Sequence, residues 1–255
     1  MKIVRYGQDG RERYGALKGD RIEPLEGELD ALKRTPGAKS IPLDTVRLLA
    51  PATPSKIVAA GLNYGEFVRE LKVEPPKEPL LFIKPSTAVI GPNDAIVYPR
   101  QTQEPYYEGE LAIVIARRAS RVPPSEARRY VLGYTCMNDV TAADLQSRDR
   151  EFTRSKSFDT FAPLGPVIET AIENPDALAL TTKHNGKLRQ NTRTSDLIFK
   201  CDFLVSFISQ IMTLLPGDVI STGTPPGVGQ IQLGDVIEIE IEKIGVLINT
   251  VAAME

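Results

Sequence analysis

Tyr107-Glu108-Gly109-Glu110-Leu111-Ala112-Ile113-Val114-Ile115 is the stretch whose reading decides the fold. Its apolar, β-branched second half reads as a strand, and side chains on a strand alternate between faces. Glu108 and Glu110 therefore share a face, with Cα atoms roughly 6.6 Å apart. That face continues as Ala112 and Val114, while Leu111, Ile113 and Ile115 occupy the other, so the strand is expected to be buried on both sides. Two carboxylates in such a place are protonated, paired or bound to a cation, because an unpaired buried anion is costly. A bound cation is the reading followed outward along the chain. Its competitor is an ion pair with a neighbouring Arg or Lys.

A third carboxylate lies downstream. Residues 131–139 read as a strand ending at Asn138-Asp139, after which Thr141 is expected to cap a helix carrying Ala142, Ala143, Leu145 and Gln146. Taken alone, Asp139 fits a turn or cap as well as a ligand. Residues 154–166 are too punctuated by glycine and proline for a helix, and read as a shaped loop with Lys156 near its start. Further on, Ser221-Thr222-Gly223-Thr224-Pro225-Pro226-Gly227-Val228-Gly229 has glycines that let backbone approach a ligand closely. It is not a phosphate loop. No Gly-Lys-Ser/Thr follows, and the two prolines remove amide donors that such a cradle needs.

On the amino-terminal side, short strands at 2–6, 13–17 and 21–25 suggest a small β-rich domain over residues 1–50. The proline-bearing segment 48–54 reads as a linker, and residues 51–255 as the main domain. Residues 56–61 read as a strand and 64–71 as a short helix, followed at 74–79 by a polar, proline-rich loop that is either a linker or a lid. In the last third, a helical region is expected to start at Ser195 or Asp196. Phe203, Leu204, Phe207, Ile208, Ile211, Met212 and Leu215 recur there at helical spacing as a core-facing stripe. Turns at 216–218 and 234–235 feed strands, and strands at 236–241 and 246–251 close the chain. His184, the one histidine, falls in an expected hairpin turn, exposed and outside any site.

Composition narrows the class of function. The 255 residues are 42% hydrophobic, enough for one large core. Lys plus Arg number 31 against 33 Asp plus Glu, which leaves no global basic charge to recruit nucleic acid or an anionic membrane and favours a small-molecule partner. Cys136 and Cys201 read as buried, reduced thiols. With no apolar signal segment and no run long enough to span a bilayer, the chain reads as cytoplasmic.

The motifs together resemble the fumarylacetoacetate hydrolase family. The resemblance is carried by 107–112, Asn138-Asp139, the segment from Lys156 through Pro166, and 222–229, in the family's order. It implies a mixed-β (α+β) fold with a β-sandwich or roll catalytic domain, usually homodimeric. It also implies that Glu108, Glu110 and Asp139 hold one divalent metal per chain, with Lys156 and Glu70 as catalytic residues. Lys84, Gln146, Gly223 and Thr224 would bind a small 2-oxo acid. An all-oxygen ligand set suits Mg²⁺ or Mn²⁺ rather than zinc. Three anions, a dication and Lys156 sum to zero, a tolerable balance for a partly buried site.

The chain departs from the family's pattern at two places. Ala143 stands where the family commonly has an arginine that helps to hold substrate, and Phe67 where hydrolytic members carry a histidine paired with a glutamate, here Glu70. Without that imidazole, water activation needs another base, Glu70 or Glu66 with a raised pKa, and chemistry that needs no activated water is the more economical reading. An isomerase or decarboxylase acting on a 2-oxo or 2-hydroxy-dienoic diacid of aromatic-compound breakdown is therefore favoured over an acylpyruvate- or fumarylacetoacetate-type hydrolase, with oxaloacetate decarboxylation a further alternative. A reading of another class is a binding module whose metal only holds strands together.

Overall fold

A computed structural model describes residues 1–254. Its frame is a 13-stranded sheet, largely antiparallel. The central path runs from the amino-terminal strand Lys2–Gln8 through Ala162–Glu169, Val131–Asn138, Gly109–Ile115, Val219–Ser221 and Lys56–Gly61, and ends at Leu80–Pro85. A five-stranded sheet (Ala95–Tyr98, Gly245–Ala253, Val236–Ile241, Ala179–His184, Lys187–Arg193) packs against it, and a three-stranded ribbon joins Thr141–Ala142, Pro105–Tyr107 and Gly229–Gln230. This is the mixed-β fold, with sheets packed face to face, that the family resemblance implies.

The strand Gly109–Ile115 is buried along its whole length. Leu111, Ile113 and Ile115 join Ile237, Ile239 and Leu247 of the five-stranded sheet in one core, while Ala112 and Val114 join Ile57, Met137 and Leu164 in a second. Both faces of the strand are thus covered, as its apolar run predicts. Glu108 itself lies between two strands, Pro105–Tyr107 and Gly109–Ile115, where the chain leaves the ribbon for the main sheet. The strands Lys2–Gln8, Arg11–Lys18 and Arg21–Glu26 form a meander that continues the main sheet, because Lys2 and Ile3 pair with Glu169 and Ile168.

Three short helices contribute to the site, α1 (Gly65–Leu71), α2 (Ala143–Arg148) and α3 (Thr153–Lys156), and a longer one, α4 (Cys201–Ile211), packs elsewhere. Several local expectations are corrected. Thr141 does not cap α2; it lies in a short strand, and its hydroxyl turns to Glu108. Lys156 closes one turn of helix, α3, rather than opening a loop, and the strand Ala162–Glu169 takes up the rest of that segment.

Residues Thr194–Asp196 form a separate 3₁₀ turn, and α4 begins only at Cys201. Its apolar residues form two rows. Cys201, Leu204, Val205 and Ile208 are buried, whereas Phe203 and Ile211 are exposed and the rings of Phe199, Phe203 and Phe207 stack along the outside. Asn185 and Gly186, both left-handed, make the tight hairpin turn expected there. His184 beside it is half-buried rather than exposed, with Nε2 2.7 Å from Asp235 and its ring against Tyr107.

Both cysteines are buried and free. Among the described residues no helix is long and apolar enough to cross a membrane.

Candidate metal centre and its cavity

Glu108, Glu110 and Asp139 converge because Gly109–Ile115 and Val131–Asn138 are antiparallel neighbours with Gly109 opposite Asn138. One oxygen from each of the three lies within 4.8 Å of the others. Each carboxylate is aimed by its surroundings. Glu108 takes the Thr141 hydroxyl on Oε1 (2.7 Å) and Lys156 on Oε2 (2.9 Å). The Asn138 side chain accepts the Glu108 backbone N–H, fixing the chain where it leaves the ribbon. Glu110 takes the Ser221 hydroxyl and the Gly223 N–H on Oε2, while no protein donor among the described residues reaches Oε1. Asp139 lies between two ammonium groups, Lys84 on Oδ1 and Lys156 on Oδ2, each at 2.6 Å.

The electrostatics follow from burial and these pairs. Burial, reinforced by Asp139 and Glu108, pushes Glu110 up to about 8. Glu108 is raised by burial against the pull of Lys156. Burial would also raise Asp139, but Lys156 and Lys84 hold it below the usual carboxylate range. Burial depresses Lys84, with Asp139 opposing, whereas Asp139 and Glu108 outweigh burial at Lys156 and raise it. Glu110 resists ionisation unless a cation arrives. This fits a divalent metal: the donors are hard oxygens, Glu110 keeps one oxygen clear of protein donors, and a dication would offset the carboxylate repulsion. The competing ion pair is met at Glu108, which Lys156 engages, but not at Glu110, whose partners are the Ser221 hydroxyl and the Gly223 N–H; Lys84 and Lys156 both engage Asp139. The charge balance differs from the zero expected with Lys156 as the one cation. Lys84 adds a second cation, so the ionised trio with both lysines carries one net negative charge, and a dication would leave one net positive charge.

These groups form the floor of a cavity of about 360 Å³. Gln146 from α2 and Thr224 contribute polar wall; Phe67 and Leu71 from α1, with Phe82 and Phe152, contribute apolar wall. The Phe82 ring meets Phe152 edge-on and lies 4.7 Å from Lys156 Nζ. Ala143 also lines the cavity, so the position of the missing arginine faces it.

The other residues expected to bind substrate or to act in catalysis are placed differently. Lys84 is fully buried behind Asp139 and does not line the cavity. Gly223 gives its N–H to Glu110 rather than to the cavity. Glu70 is exposed on α1 and is not part of the lining. Ser221 and Thr141, which aim the carboxylates, were not legible as site residues. The one local hint was their place within or beside the quoted motifs.

Comparison with known proteins finds the family model described as fumarylacetoacetate (FAA) hydrolase C-terminal over residues 56–252, and one described as Rv2993c-like, N-terminal, over residues 1–51. A mitochondrial oxaloacetate tautomerase from Bos taurus is 39% identical over 244 residues, covering 90% of this chain and 78% of that protein. The structure of 2-hydroxyhepta-2,4-diene-1,7-dioate isomerase from Mycobacterium marinum is 40% identical, with a TM-score of 0.92 over 99% of this chain and 98% of that one. Maleylpyruvate hydrolase from Sphingobium sp. SYK-6, solved with manganese(II) and pyruvate, is 30% identical, with a TM-score of 0.82 over 100% of both chains.

Proposed function

The chain belongs to the fumarylacetoacetate hydrolase family, and from that premise we propose that it is a divalent-metal-dependent isomerase or tautomerase, moving a proton along the enol of a small 2-oxo or 2-hydroxy-dienoic acid. Decarboxylation would be the other reaction open to such a site, since loss of CO₂ from a 2-oxo diacid leaves the electron pair as an enolate that the same cation would stabilise. The observation that carries this is the cavity wall: Phe67 faces the carboxylate floor, and His184, the sole histidine, is held by Asp235 and lines no part of it. Hydrolysis of a carbon–carbon bond needs an activated water, and an imidazole is the side chain best poised to activate it near neutral pH. Enolisation does not need that water.

Glu108, Glu110 and Asp139 would hold one Mg²⁺ or Mn²⁺. When bound, the cation supplies positive charge where an enolate develops its negative charge. Thr141, Ser221 and the Gly223 N–H keep the carboxylates aimed without being rebuilt in each turnover. Lys156 keeps its proton, because two carboxylates hold it; with two N–H groups so engaged, the third is left for a substrate oxygen, and water entering at the cavity mouth would take the C3 proton and return it. Gln146 offers its amide to the substrate carboxylate, Phe67, Phe82 and Phe152 form the apolar wall beside the reacting carbon, and the Thr224 hydroxyl is already committed, donating to Gly109 O and accepting from Gln190.

The test is exchange of the C3 hydrogens of a 2-oxo acid with deuterium, followed by NMR. Exchange should require Mg²⁺ or Mn²⁺ and stop with chelator, while acylpyruvate is cleaved negligibly. Exchange indifferent to chelator, or efficient acylpyruvate cleavage, overturns the proposal.

A further inference from the structure

The cavity changes character between floor and mouth. At the floor Glu110 and Asp139 are 2% and 1% exposed; at the mouth Leu71 and Leu80, at the two ends of the 72–79 loop, are 46% and 40% exposed. Between them stand Phe67, Phe82 and Phe152. Among the described residues, Lys156 is the one basic side chain in the lining, and both Glu108 and Asp139 already engage it. The loop over the mouth carries Lys72 and Lys77 against Glu74 and Glu78, so its charges cancel. Arg150 opens onto an adjoining groove, not onto this cavity.

With a dication bound, the floor has one net positive charge to offer, enough for one carboxylate. A second carboxylate farther along the substrate would lie against leucine and phenylalanine with no free cation beside it, since Lys156 is already paired and the Gln146 amide serves the first carboxylate, which is unfavourable. An alkyl or alkenyl tail there would instead cover the exposed leucines.

We infer that this cavity selects 2-oxo acids bearing a single carboxylate and an uncharged, apolar tail of a few carbons, in preference to the diacid that the sequence suggests, with Leu71 and Leu80 as the residues that set this choice. The inference rests on the metal reading above.

The test compares 2-oxohexanoate with 2-oxoadipate, which differ only in a terminal methyl against a carboxylate, by calorimetric titration into the Mg²⁺-loaded protein, with oxalate as a probe of the metal alone. The monoacid should bind about tenfold tighter or more, and Leu71→Arg, at an exposed position, should reverse the order. Arg150→Ala should leave the order unchanged. Oxalate binding with the diacid equal or preferred, or an order that Arg150→Ala changes, overturns the tail inference alone. Failure of oxalate to bind in Mg²⁺ overturns the metal reading, and this inference with it.

Discussion

Lys84 Nζ donates to Asp139 Oδ1 at 2.6 Å, and neither side chain reaches solvent. The pair fixes one wall of the carboxylate trio and sets its charge. Replacing Lys84 with Met leaves Asp139 with one ammonium partner, and losing one partner of a buried pair costs about 3 kcal/mol in the metal-free protein. The trio with Lys156 then carries two net negative charges, which one dication would neutralise. Lys84→Met should therefore bind Mn²⁺ at least as tightly as the parent while binding oxalate more weakly. Glu110→Gln removes ligand charge instead and should weaken Mn²⁺ binding by about tenfold or more. Calorimetry on both variants checks the contrast. Equal losses of Mn²⁺ affinity would show that Lys84 acts on the fold and not on the charge of the site.

Asp218 anchors the far end of the same sheet. Its carboxylate is buried and accepts the Ser55 hydroxyl and N–H, the Leu215 N–H and the Lys56 ammonium. Burial would raise it, but Lys56 and these donors hold it below the usual carboxylate range. A depressed folded value contributes stability that is present above about pH 4, the unfolded value, and is lost as pH falls through the lower folded value. Asp218→Asn should cost about 2 kcal/mol at pH 7 and flatten the acid limb of the stability profile. Urea midpoints measured from pH 7 to pH 3 decide it: a variant whose acid limb keeps the parent's slope excludes Asp218 as a source of that limb.

The 72–79 loop leaves α1 through Lys72, which is left-handed (φ 55°), and returns at the edge strand Leu80–Pro85. Leu71 and Leu80, which flank it, line the cavity mouth. A ligand seated on the floor should draw this mouth closed, because covering it buries exposed apolar surface. Trypsin cleavage at Lys72 and Lys77 should slow several-fold when Mg²⁺ and oxalate are both present. A rate indifferent to both ligands makes the segment a plain connection.

Much of this was legible because it depends on short-range periodicity. The two-residue period of the strand placed Leu111 and Ala112 in opposite cores, and the strand-ending Asn138-Asp139 put a third carboxylate near the pair. What sequence could not carry is long-range pairing. Lys84 reaches Asp139 across 55 residues, and Ser221 reaches Glu110 across 111, with nothing local to announce either contact. The neighbours of Thr141 suggest a cap, but Glu108 competes for its hydroxyl and prevails. The α4 stripe misled for a related reason. Helical spacing shows which residues share a face, but not that the row Phe203, Phe207, Ile211 turns outward while Leu204 and Ile208 turn inward.

The reaction class rests on Phe67, and α1 gives that residue a partner that the sequence did not suggest. Glu70, expected to pair with an imidazole at this position, is exposed and not in the lining; Leu71, one helical turn on from Phe67, does line the cavity beside it. A histidine at 67 would therefore line the cavity with no carboxylate on its own helix to orient it, the three on the floor being assigned to the metal. Phe67→His alone should raise acylpyruvate hydrolysis only slightly above a negligible parent rate. Phe67→His with Leu71→Glu puts an imidazole and a carboxylate on one face of the helix, the arrangement that holds a general base in one tautomer. The double variant should hydrolyse acylpyruvate about tenfold faster than the single one, with a rate that rises as pH passes through the imidazole range. Single and double variants of equal activity would show that the base needs no partner at Leu71. A parent enzyme that already hydrolyses acylpyruvate efficiently would show that Phe67 does not exclude the hydrolytic reaction.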